Sequence, residues 1–123
     1  MVNRYMKAHI RNMTRQTELG ASIDIADTSA KRRTGLLKHS GLAPGEGLWI
    51  LPCESVHTFF MKFPIDLVYL DKKRTVRKVR HAVQPWRMSA CFTAHSIIEL
   101  PAGAARASGT VAGDQLEIER STS

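Results

Sequence analysis

Cysteine is scarce: Cys53 and Cys91 are the only two in 123 residues. They cannot build a disulfide framework, which excludes a small secreted domain stapled by bridges and suits a reducing compartment. Long hydrophobic runs are also missing, and none approaches the ~20 residues of a membrane helix. The first residues, MVNRYMKAHIRNMTRQ, contain no apolar h-region. A soluble, cytoplasmic protein without membrane insertion is expected. With two Trp and two Tyr, little is available for stacking on bases. No nucleophile elbow occurs, and GLAPGEG lacks the lysine and spacing of a phosphate loop. No cofactor motif is present, so none is expected.

Hydrophobic residues make up 43% and charged residues 24%, an ordinary globular composition. The length suits one compact domain over 1–123, with loose ends expected at 1–6 and 120–123. Net charge is +7, from 18 basic and 11 acidic residues. The cations fall into separate groups: Arg11 and Arg15, Lys31 to Arg33, and Lys72 to Arg80. A solvated basic surface is the simpler reading, and nucleic-acid binding through the 72–80 hairpin is an alternative that is not favoured.

Alternation at Ala8 and Ile10, and again at Leu19, Ala21, Ile23 and Ile25, predicts two strands joined by a hairpin at TRQT. The period then changes. Asp27, Thr28 or Ser29 can cap a helix with Ala30, Arg33 and Leu37 on one face, Gly35 inside it and Gly41 as its stop. LWIL, SVHTFFM, IDLVYLD, TVRKVRHAV, SIIEL and the LEI segment read as strands, QPWRMSACFTA as irregular, and PAGAARASG as a short helix with Pro at its first turn. About eight short strands and two short helices predict an α+β domain dominated by antiparallel sheet, curled or barrel-like.

Within VHTFFMKFPIDLVYLD, residues 56–71, strand alternation puts His57, Phe59 and Met61 on one face. Pro64 bends the chain, and beyond it Asp66 shares a face with Val68 and Leu70. A carboxylate there needs a partner: Lys62, His57, Arg33 or a backbone N–H. Asp66 is either a clamp between strands or the anchor of a pocket.

The blocks ADTSAKRRTGLLKHSGL, GEGLWILPCESVHTFFMKFPIDLVYLD, PWR, IIELPAG and AGDQLEI, in this order between about Ile23 and Ile118, resemble the domain of unknown function 192 family. The PC…SVHTFFM form looks like a branch of it. Two departures are Phe59–Phe60 before Met61, where many members carry Trp, and Phe63, where many carry Asn. The resemblance implies a compact, strand-rich, stand-alone prokaryotic protein with no established activity. It maps family motif positions onto Arg33, Gly35, Leu36, Met61, Lys62, Pro64, Asp66, Glu99, Ala102, Gly103, Gly113 and Asp114.

CESVH and CFTAH supply Cys53, His57, Cys91 and His95, a set that could bind zinc if the chain turned between each pair. Untwisted, four strand steps span ~13 Å, too far for one ion, so no metal is expected. Trp86 and Arg87 sit side by side in PWR and could edge a cleft. The reading taken is a non-catalytic binding or accessory module, with a groove near Met61, Lys62, Asp66, Trp86 and Arg87, for a small molecule or an acidic protein segment. The alternative is a small hydrolase or transferase using Asp66 with His57 or Lys62.

Overall fold

The computed structural model describes residues 6–121. Nine strands and two short helices follow one another: β1 (Lys7–Asn12), β2 (Thr17–Ala26), α1 (Ser29–Thr34), β3 (Glu46–Ile50), β4 (Ser55–His57), β5 (Ile65–Leu70), β6 (Val76–Val83), β7 (Met88–Ala90), β8 (Ser96–Pro101), α2 (Ala104–Ala107) and β9 (Leu116–Ser121). The expected loose ends fall mainly outside the described residues; Arg120 and Ser121 pair with Ala8 and Lys7.

Seven strands form one sheet in the order β6-β5-β8-β3-β2-β1-β9, while β4 and β7 form a separate ribbon. Every pairing is antiparallel except β2 with β3, which the α1 crossover joins in parallel. The sheet curls until its two ends touch at a bridge between Thr75 and Gln115. It thus matches the curled α+β sheet that the sequence predicts.

Two apolar clusters lie on opposite sides of the central strands. One, inside the curl, joins Ile10, Ile23, Ile25, Trp49, Val68, Ile98 and Leu100. The other joins Leu36, Leu48, Ile50, Met61, Leu67, Tyr69 and Ile97 beneath α1 and the ribbon. All six residues of β5 are buried, which is why IDLVYL is apolar at every position but Asp66.

Local readings change in five places. The helix expected to run on to Gly41 ends at Gly35, whose φ of 50° suits a residue without a Cβ. Ala21 is exposed because the β1–β2 register shifts between Ala8 and Ile10. SVHTFFM is a strand only to His57, since Phe60 turns to φ 66°. Pro101 closes β8 rather than opening α2, and the "irregular" 84–94 segment contains β7.

Candidate functional site

Strand β8 has aliphatic residues at Ile97, Ile98 and Leu100, and Glu99 interrupts them. Alternation turns Ile98 and Leu100 to the inner cluster and Glu99 to the outer side, flanked across the sheet by Leu48 and Leu67. Close packing brings it there. A Cβ on Gly47 would lie 2.5 Å from the Glu99 carbonyl oxygen, so only glycine lets β3 approach β8 this closely.

Glu99 is 5% exposed and makes no hydrogen bond or ion pair with any described residue. Burial pushes its carboxyl up to about 7. It lines a cavity of about 250 Å³ between α1, its following turn and the ribbon. Leu36, Ile50, Val56 and Met61 supply apolar walls, and Arg32, Arg33, Cys53 and His57 are among the other polar groups. Arg32 is engaged, donating to the Leu51 carbonyl (3.3 Å) and the Ser29 hydroxyl (3.4 Å). Arg33 is exposed and bonds to no described residue. The Cys53 thiol donates to the Ser55 carbonyl at 3.1 Å, and burial holds its pKa above the usual thiol value. It is therefore a poor nucleophile.

His57 joins this cavity to an aromatic ledge. It stacks on Phe59 (4.8 Å between centroids), Phe59 on Trp86 (5.7 Å), and Phe60 tilts against Trp86 (4.7 Å). Buried Thr58 holds the ledge together: its hydroxyl donates to the Gln84 carbonyl (2.7 Å) and accepts the Arg87 N–H (2.8 Å), and its carbonyl accepts the Trp86 N–H (3.0 Å). Trp86 is 56% exposed and Phe60 69%.

The residues expected to form one groove separate. Met61 lines the cavity, and Trp86 and Arg87 belong to the ledge. Lys62 is exposed and unbonded among the described residues. Asp66 is sealed at 0% exposure on the far side of the sheet. One of its oxygens accepts the Ala82 N–H (2.8 Å), and the other accepts those of Gly103 (3.1 Å) and Ala105 (2.9 Å). Its partners are thus three backbone donors. Neither His57 nor Lys62 bonds to it, so the pairing on which an Asp66-based acid or base depends is absent among the described residues.

The four potential zinc ligands also divide. Cys53 donates its N–H to the His95 carbonyl, and Cys91 donates its own to that of Glu54, but the Cys91 thiol turns to the Thr93 hydroxyl (3.3 Å). No group of three or more His, Cys, Asp or Glu among the described residues is placed to hold a metal. Along the basic stretch, Arg77 bonds to Thr93, Lys78 to the Ala90 carbonyl and Arg80 to Ser89. Sequence reasoning reached Glu99 only as a motif position. Its signal was an acidic residue inside an otherwise apolar strand, SIIELP.

The family model described as "Uncharacterized ACR", DUF192, matches residues 10–118, and the chain belongs to that family. It is 32% identical over 115 residues to the UPF0127 protein of Pyrococcus abyssi, covering 88% of this chain and 95% of the relative. It is 34% identical over 117 residues to a UPF0127 protein of Thermococcus sibiricus, covering 88% and 73%. Its fold is similar to that of a Sinorhizobium meliloti protein described as "a putative transcription regulator" (TM-score 0.81, 20% identity, 95% and 97% coverage). It is also similar to that of a Novosphingobium aromaticivorans protein of unknown function (TM-score 0.75, 20% identity, 90% and 83%).

Proposed function

We propose that this protein is a non-catalytic binding module of the cytoplasm, with a small molecule seated in the cavity above Glu99 and bordered by the Phe59–Trp86 ledge. One observation carries the reading: Glu99 is a nearly buried carboxyl group that lines the cavity and bonds to no described residue. A carboxyl group largely withdrawn from water gains from donors that replace that water, so a ligand that supplies them has a built-in advantage. Apolar walls with a few convergent polar groups are the usual make-up of such sites.

Catalysis has less support. Attack by a thiolate needs a neighbouring base, whereas Cys53 donates to a carbonyl and the Nδ1 of His57 accepts the Phe59 N–H (3.3 Å). For nucleic acid, the name given to the Sinorhizobium protein is suggestive. Against it, Arg77, Lys78 and Arg80 are occupied within the fold.

A fragment screen read by two-dimensional amide NMR tests the proposal. Hits should shift amides at Arg33, Leu36, Met61 and Glu99, and Glu99→Gln should weaken the polar ones. Hits that cluster elsewhere on the surface would sink it.

A further inference from the structure

Two ionisable groups of opposite type, each without a side-chain partner among the described residues, line one small cavity. Arg33 carries a planar guanidinium, is exposed, and its side chain bonds to no described residue. Glu99 is 5% exposed, and its carboxyl group accepts no hydrogen bond from any described residue. They form no ion pair with each other, and Leu36, Ile50 and Met61 are among the apolar residues that share the cavity with them. Resting on the pocket reading above, we infer that the ligand is a bipolar small molecule. A donor head group, an ammonium or an amide N–H, meets Glu99, and an acidic group, carboxylate or phosphate, meets Arg33.

Each end is matched by chemistry. A carboxyl group taken out of water gains most from donors, and a cationic donor makes a charge-assisted bond with its ionised form. A planar guanidinium offers paired N–H groups to a carboxylate or phosphate. A molecule with an acidic group alone would leave Glu99 unpaired, and one with a donor alone would leave Arg33 idle. Size limits the candidates further. At about 250 Å³ the cavity lies just under the ~300–1,000 Å³ usual for small-molecule sites, which favours a ligand of amino-acid dimensions.

The test titrates four probes into the full-length chain and follows its amide spectrum: leucine, 3-aminopropyl phosphate, butylamine and butyrate. Saturable shifts at Arg33, Met61 and Glu99 are expected with leucine or the aminoalkyl phosphate. The preferred one identifies the acidic group as carboxylate or phosphate. Butylamine and butyrate should bind about tenfold more weakly or worse, each lacking one charge-assisted contact. Arg33→Gln and Glu99→Gln should each reduce bipolar binding by about tenfold or more, while Arg33→Gln leaves butylamine unaffected. If a single-headed probe matches the bipolar ones at these residues, the ligand class is wrong and the pocket reading survives. If no probe shifts them, and the fragment screen leaves them unmoved as well, both fall.

Discussion

Phe60 and Trp86 face each other with ring centroids 4.7 Å apart, and both backbones are left-handed, at φ 66° and 68°. Bulky residues rarely adopt that conformation, which costs on the order of 1–3 kcal/mol each and persists only where surrounding bonds impose it. Here Thr58 imposes it, through bonds to Gln84, Trp86 and Arg87. Phe60→Gly should therefore leave the protein as stable as the parent, or up to about 1 kcal/mol more so, although it deletes a large apolar side chain. Thr58→Val should cost about 1–3 kcal/mol by orphaning the Gln84 carbonyl and the Arg87 N–H. Urea melts decide both. A Phe60→Gly protein that loses as much as Thr58→Val would refute the account of strain.

Asp66 anchors β6 and the α2 turn to β5 through three backbone donors. Removing one side of such a buried charged network typically costs about 3–5 kcal/mol, and Asp66→Ala is expected in that range. Asp66→Asn keeps one acceptor oxygen and should fall in between. Thermal melts of both check this. Parent-like melting would mean that the carboxylate is not what holds these elements together.

Glu99 should make stability depend on pH. Its folded carboxyl titrates at about 7 against an ordinary 4.5, so the unfolded chain loses its proton first as pH rises. Stability from this group is complete below pH 4.5, declines between 4.5 and about 7, and is flat above. At about 1.4 kcal/mol per pH unit, the loss approaches about 3 kcal/mol. Glu99→Gln should remove that slope and be the more stable protein at pH 8. Denaturant midpoints at pH 4.5, 6 and 8 test it; parallel curves for the two proteins would contradict the burial argument.

Gly47→Ala should be among the most damaging single substitutions in the chain. The added methyl would meet the Glu99 carbonyl oxygen at 2.5 Å and the Ile23 and Leu100 side chains at 3.0 and 3.1 Å. The carbonyl is backbone and cannot swing away, so β3 and β8 must part. A drop of several kcal/mol, or failure to fold, is expected by circular dichroism. A well-folded alanine variant would show that the strands have slack.

Period-two alternation and the turn residues between runs are local, so most strands and the curled α+β class were legible in the chain. The apolar run of β5, interrupted only by Asp66, marked a strand, and Asp66 within it marked a carboxylate in need of a partner. The identity of those partners was not legible. Ala82, Gly103 and Ala105 are 16 to 39 residues away along the chain, and backbone N–H groups carry no residue signature. Helix α1 was overextended because its apolar spacing continues past Gly35, where a positive φ ends it.

The site divides in the same way. Composition, charge and short-range pattern determined a small, basic, strand-rich domain, and a resemblance in its motifs pointed to its family. Only the tertiary structure decided that Glu99, Met61, His57 and Arg33 share a cavity while Asp66 lies across the sheet. Strand alternation assigns each side chain to a face, but which face becomes core, cavity or solvent depends on the layer that packs over it. For β8 that layer is α1 with the β4–β7 ribbon, drawn from segments 40 or more residues apart in some pairs and brought together by the burial of Leu36, Ile50 and Met61 on one apolar surface.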